Sequence, residues 1–258
     1  MYYIGTRSLY WKTYCLKTNL KLYQQKKSYD CIISINIHEK YSFLLKQLEN
    51  IKQNVNMSYA IILNCNDIMF KECNKHKLPD NVYINNIILN KKRFHGSLTN
   101  GIYNNMIYAL EKFKFKFFIV ASSRNMFIKM TLDDLYKVTK NENKIYGDNH
   151  SYTEWHWPMF LNTLLSKYYI SKQQKLYSSA HEGLMLTHNA CVKIVFFLEN
   201  NLEIKNNLFN FNHCVEEFAL QTISMNTGGL FYYIGNGCYE EKIKPGEFLK
   251  FMYKINRD

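Results

Sequence analysis

Two adjacent carboxylates, Glu216 and Glu217, stand near the start of residues 212–225, NHCVEEFALQTISM. Val215, Phe218, Ala219 and Thr222 form one apolar stripe there, which predicts a helix with both acids in its first turn. The helix dipole keeps a carboxylate in that turn ionised. An ionised carboxylate that reaches a substrate hydroxyl can take its proton as a general base. Neighbours on a helix point in different directions, so at most one of the pair serves a given site. Plain complementation of the dipole is the competing reading. A second candidate is the polar break Ser122-Ser123-Arg124-Asn125, which follows the apolar, β-branched and aromatic run at 117–121. Thr131 with Asp134 three residues later then fits a capping box. A buried strand that opens into a polar loop and then a helix is where open α/β sheets hold ligands. A third group, His150, His156 and His181 with Glu154 and Glu182, has spacings that match no metal motif.

The elements that must position these groups are legible as alternating periods. Residues 31–37 (CIISINI), 59–63 (YAIIL), 81–89 (NVYINNIIL) and 117–121 read as strands. Between them, Tyr41, Leu44, Leu45, Leu48 and Ile51 share one helical face, as do Leu98, Ile102, Met106, Ala109 and Leu110. This alternation predicts a mostly parallel α/β sheet over residues 29–140. Further on, residues 158–170 read as a helix with Pro at its first turn. Residues 177–187 read as a loop and short strand, 189–198 as a helix, and 230–235 as a last strand. Residues 1–28 are expected to be a basic, aromatic arm, and 29–258 a single domain.

Composition narrows the classes. Apolar content of 47% in 258 residues suffices for a packed core, so the chain is not a disordered tail. Seven cysteines without a Cys-x-x-Cys pair point to free thiols rather than a disulfide framework or zinc site. No apolar run is long enough for a membrane span and the amino terminus lacks a signal-peptide core, so a soluble cytoplasmic protein is expected. There is no Gly-x-Gly-x-x-Gly, P-loop, Gly-x-Ser-x-Gly or kinase motif, which argues against dinucleotide oxidoreductases, P-loop NTPases, serine hydrolases and kinases. The formal charge of +12 leaves nucleic acid, anionic membrane or a phosphorylated small molecule as partners. The densest basic run, Lys91-Lys92-Arg93, is short for a nucleic-acid arm.

The order of these segments resembles glycosyltransferases of the GT-A fold, and most closely the core-2/I-branching β-1,6-N-acetylglucosaminyltransferase-like family. In that family the central strand runs into a small-x-x-Asp-x-Pro-Ile/Leu-Lys loop. Here the letters are Ser122-Ser123-Arg124-Asn125-Met126-Phe127-Ile128-Lys129, with Asn125 for the Asp and Phe127 for the Pro. A Pro-Asp-Glu-aromatic-x-x-x-Thr segment carries the family's base on its Glu. Val215-Glu216-Glu217-Phe218-Ala219-Leu220-Gln221-Thr222 lines up with it. The likeness spans residues 30–225.

The resemblance implies an α/β, GT-A-like domain that moves a sugar from a nucleotide-sugar donor to a glycan acceptor, with inversion. Glu217 is then the catalytic base. The exits of the first two strands, with Asn36, His38 and Glu39, and Asn64 and Asp67, are expected to hold the nucleoside. Ser97, Asn100, Ser123, Arg124 and Asn125 are expected to line the donor site. Trp155, Trp157 and Glu182 are placed on the acceptor side, where aromatic faces suit sugar rings. No Asp-x-Asp occurs in the chain, so no metal or other cofactor is expected. Arg124, or Lys242 and Lys244, are expected to supply positive charge to the leaving diphosphate. A non-catalytic nucleic-acid-binding protein and a degenerate transferase that only binds glycans are the alternatives.

Overall fold

The computed structural model describes residues 26–38, 40–140, 157–234 and 249–251. In chain order the elements are β1 (Lys27–Ile37), α1 (Tyr41–Asn54), β2 (Val55–Asn56), β3 (Tyr59–Cys65), α2 (Asp67–Asn74), β4 (Val82–Asn85), α3 (Ser97–Lys112), β5 (Phe113–Ser122), β6 (Asn125–Phe127), β7 (Met130–Thr131), α4 (Leu132–Lys140), α5 (Trp157–Phe160), α6 (Leu164–Ser171), β8 (Leu184–Thr187), α7 (His188–Asn200), α8 (Leu202–Phe209), a 3-10 turn (Val215–Glu217), α9 (Ala219–Asn226), β9 (Phe231–Tyr233) and β10 (Leu249–Phe251). Among the described residues no helix is long and apolar enough to cross a membrane.

Cys31, Ile32, Ile33, Ile35 and Ile37 are all buried completely, so β1 must be covered on both faces. It lies inside a six-stranded sheet of order β4-β3-β1-β5-β8-β9. The first four strands run parallel, and β8 and β9 join as antiparallel neighbours. The sheet is therefore mixed but mostly parallel, as the alternating periods predict. One face packs Ile33, Ile35, Leu63 and Ile119 against Leu44, Leu48 and Ile51 of α1. The other packs Ile32, Ile62, Phe118 and Leu186 against Ile102 and Met106 of α3, Ile194 and Leu198 of α7, and Ile223 of α9. This is a three-layer α/β domain. The chain steps outward from β1 to β3 to β4, then returns through α3 to β5 on the other side of β1. The strand order thus reverses between β1 and β5, the point where such sheets bind ligands at their carboxyl ends.

Several boundaries depart from expectation for local reasons. The third strand is only Val82–Asn85, because Asn85 turns its side chain to Asn105 and to the Ile87 amide. The expected helix at 158–170 is two helices, since Thr163 accepts from the Ser166 amide at 3.1 Å and starts a new one. The stretch at 212–225 likewise breaks at Phe218, whose φ of −139° separates the 3-10 turn from α9. The capping box forms as expected: Thr131 N donates to Asp134 Oδ2 at 2.9 Å and Asp134 N to Thr131 Oγ1 at 3.3 Å. The five described cysteines, Cys31, Cys65, Cys73, Cys191 and Cys214, are free and buried. Strand β1 opens at Lys27, two residues before the expected domain start. Residues 1–25 lie outside the described residues.

The connection into α3 depends on close backbone approach. A Cβ on Gly96 would lie 1.8 Å from the Leu208 carbonyl oxygen, and the Gly96 amide donates to Phe211 O at 2.8 Å. Neither partner is a flexible side-chain tip, so the overlap cannot be relieved without moving α8. Gly96→Ala is expected to destabilise the fold by about 3 kcal/mol, at the upper end of overpacking costs. Equilibrium urea unfolding measures it, and an unchanged midpoint would show that α8 yields freely.

Candidate functional site

At the carboxyl edge of the sheet, next to the reversal between β1 and β5, lies a cleft of about 720 Å³. His38 reaches it from the end of β1, and Ser122, Ser123 and Arg124 from the end of β5. The loop after β4 contributes Lys91, Lys92, Arg93 and Phe94. His181 and Glu182 come from just before β8, which runs antiparallel and so begins at this same edge. Cys214, Glu216 and Glu217 come from the 3-10 turn.

The polar turn after β5 is held from behind. Gln47 of α1 is fully buried and donates to both Ser122 O and Asn125 O at 2.8 Å. Asn125 Oδ1 accepts from the Ser122 amide at 2.5 Å, closing the turn. These bonds aim Ser123 and Arg124 into the cleft.

The basic wall is shaped by burial and by one unusual backbone angle. Lys91 Nζ donates to Asn64 Oδ1 at 2.7 Å, Asn64 O at 3.0 Å and Leu89 O at 3.2 Å. All three acceptors are uncharged, and burial lowers the ammonium's pKa to about 8. Phe94 has φ of +50°, uncommon for a bulky residue. The Arg93 guanidinium carbon lies 4.6 Å from the Phe94 ring centre, a cation–π contact that holds the charge at the cleft mouth.

The acidic wall gathers on one imidazole. His181 Nε2 lies 3.2 Å from Glu182 Oε1, and Nδ1 lies 3.7 Å from Glu217 Oε1. The second distance is an ion-pair separation, too long for a good hydrogen bond. Burial works against a charged His181, but Glu182, Glu217 and Glu216 outweigh it and push its pKa up to about 10. The imidazole keeps 19% of its side-chain surface, so it is deep in the cleft but not sealed. Glu216 is 2% exposed, and burial raises its carboxyl to about 7 despite the opposing charge of His181. Glu217 retains 29% exposure and is the more reachable of the two acids.

Of the residues expected from sequence, His38, Ser123, Arg124, Glu182 and Glu217 meet in this cleft. Others have structural work instead. Asn36 Nδ2 donates to Leu98 O at 3.0 Å and Asn64 Nδ2 to Ile87 O at 2.9 Å. Both press on Gly101 of α3, where a Cβ would fall 2.2 Å from Asn36 Oδ1. Asn36 ties the end of β1 to that helix, and Asn64 ties the end of β3 to the loop after β4, where it also accepts from Lys91 Nζ. Asp67 pairs with Lys71 at 2.8 Å on the surface of α2. Ser97 Oγ accepts from the Lys92 amide at 3.0 Å, and Asn100 Oδ1 from Asn104 at 2.7 Å. Asn125 is fully buried in its turn. These six do not line the cleft. Trp157 opens α5, whose Phe160 stacks on Phe218 at 4.8 Å beside the 3-10 turn. Glu39, Trp155, Lys242 and Lys244 lie outside the described residues, as do His150, Glu154 and His156.

His181, Glu216 and Lys91–Arg93 are charged cleft residues that sequence reasoning did not assign to the donor or acceptor, beside Phe94, Leu98, Ser122 and Cys214. The signal available for His181 was its position just before a strand, beside Glu182. A scan against protein-family models finds no match for the chain, and a search of curated proteins finds none either.

Proposed function

We propose that the chain is a GT-A-like glycosyltransferase that moves a sugar from a nucleotide-sugar donor to a hydroxyl of a glycan acceptor, with inversion and without a divalent metal. The observation that carries this reading is a single cleft with walls of opposite charge at the reversal of strand order. Lys91, Lys92, Arg93 and Arg124 line it together with Glu182, Glu216 and Glu217. Its volume falls in the roughly 300–1,000 Å³ range of small-molecule sites.

In this reading the donor's diphosphate lies toward the basic residues and the acceptor hydroxyl toward Glu217. The Glu217 carboxylate takes the hydroxyl proton as the oxygen attacks the anomeric carbon. The bond from that carbon to the diphosphate oxygen breaks, and the nucleoside diphosphate leaves with its charge stabilised by the cations. His181 places its charge 3.7 Å from Glu217. A nucleic-acid backbone is a poorer occupant, because its repeated phosphates would run past the basic residues onto the three carboxylates, whereas a single diphosphate can lie against the cations alone.

The test is a thermal-shift screen against a panel of sugar nucleotides. At a hundred times its dissociation constant, a donor that binds only the folded chain stabilises it by about 2.7 kcal/mol, so one donor class should raise the melting temperature by several degrees. Transfer with that donor should persist in excess EDTA. Absence of a shift with every sugar nucleotide would overturn the reading. Activity that disappears in EDTA and returns with Mn²⁺ would overturn the metal-free part alone. Binding without transfer would leave a protein that only recognises its ligands.

A further inference from the structure

Ser123 is 1% exposed and Glu216 2% exposed, yet both line the cleft. Among the described residues ten buried side-chain polar atoms lack a hydrogen-bond partner, and three of them belong to residues of this cleft: Ser123 Oγ, Glu216 Oε2 and His181 Nδ1, the last at ion-pair distance, 3.7 Å, from Glu217 Oε1. Buried polar atoms in folded proteins are nearly always paired. Three such atoms on residues of one cleft mark a place where something that enters can complete them.

The chemistry of the three selects the occupant. A protonated imidazole N–H can only donate, a carboxylate oxygen chiefly accepts, and a serine hydroxyl does both. A phosphate or carboxylate ligand offers only acceptors and would meet Glu182, Glu216 and Glu217. An ammonium offers only donors and cannot satisfy His181 Nδ1. Hydroxyl groups donate and accept, so a pair of them can satisfy the set without bringing charge. We propose that Ser123, His181 and Glu216 form the floor of a subsite that binds adjacent hydroxyls of an uncharged sugar ring. This rests on the transferase reading only in identifying that sugar as the acceptor; the recognition itself needs no transfer. It moves Ser123 from the donor side to the acceptor side and gives Glu216 a positioning role distinct from the base Glu217.

Ligand-observed saturation-transfer NMR on the full chain tests it. The probes are methyl β-D-galactopyranoside and methyl β-D-glucopyranoside, beside glucose 6-phosphate and glucosamine as charged counterparts. At least one neutral glycoside is expected to bind, with weaker or absent signals from both charged sugars. Ser123→Ala should weaken binding about 3- to 10-fold and Glu216→Leu about 10-fold or more. Glu216→Gln, which keeps the shape and an acceptor oxygen, should retain most of it. Asp67→Asn, on α2 outside the cleft, is the control for general damage. Binding that is indifferent to Ser123→Ala and Glu216→Leu, or that favours the phosphorylated sugar, would overturn the subsite. Glycoside binding lost on these substitutions while no sugar nucleotide is used would uphold the subsite and sink the transferase. Transfer with a glycoside acceptor insensitive to Ser123→Ala would do the reverse.

Discussion

Glu217→Gln is expected to cut sugar transfer by about 10²-fold or more while leaving donor affinity nearly unchanged, the usual signature of a lost general base. The expectation rests on access and on charge. Glu217 keeps 29% of its side-chain surface in the cleft and pairs with the charged His181 at 3.7 Å. Glutamine preserves the shape and an acceptor oxygen but cannot take a proton. Glu216→Gln should do much less to turnover, because that carboxyl is buried and raised to about 7, so it is already partly neutral at physiological pH. Single-turnover rates with donor and acceptor saturating, beside donor affinity from thermal shift, separate the two acids. Equal turnover of Glu217→Gln and the unaltered chain would remove the base assignment. A larger loss in Glu216→Gln than in Glu217→Gln would transfer the role to the buried acid.

The parallel half of the sheet was legible because its strands are buried on both faces and its helices on one. CIISINI and YAIIL read as continuous apolar runs, and the helix carrying Leu44, Leu48 and Ile51 as a 3.6-residue stripe. Thr131 and Asp134 carry their cap in the residue types alone. The site was legible only where polarity sits at a strand exit and nothing in the fold consumes it. Asn36 and Asn64 look identical to ligand-binding residues in sequence, yet beside the close approach of Gly101 the first becomes a tie from strand to helix and the second a tie from strand to the loop after β4. That approach is a tertiary fact with no local signature. Lys91–Arg93 were legible only as the densest basic run, since their meeting with residue 217 in one cleft depends on the return of α3 to the middle of the sheet. The 3-10 turn was read as the first turn of a longer helix, since its apolar stripe continues through Phe218 even though the backbone does not.

Replacing His181 is the experiment that asks whether the acidic wall is an electrostatic device or ordinary packing. Three carboxylates around one imidazole raise its pKa from an ordinary 6.5 to about 10. In the unfolded chain the group should titrate near its ordinary value. Between those values the folded state binds more protons than the unfolded state, so stability falls as pH rises. The contribution of His181 is therefore complete below about pH 6.5, where both states are charged, and disappears as pH passes 10, where both are neutral. Asparagine mimics the imidazole's shape near Nδ1 without its charge, so His181→Asn approximates the permanently neutral form. Its cost should be about 3 kcal/mol at pH 6, at the low end for breaking a buried ion pair because the cleft admits some solvent. The cost should shrink at pH 8 and be small at pH 10. Glu216 works in the same direction over a lower window. Its pKa is raised to about 7 from an ordinary 4.5, so its own contribution to stability falls as pH climbs from about 4.5 to 7. Loss of the positive charge also removes the largest influence that holds the Glu216 carboxyl down, so its pKa should rise further in His181→Asn. Urea unfolding of both proteins at pH 6, 8 and 10 measures the difference directly. A cost that is the same at pH 6 and pH 10 would show an uncharged, merely packed imidazole, and Glu217 would then have no positive charge from His181 beside it.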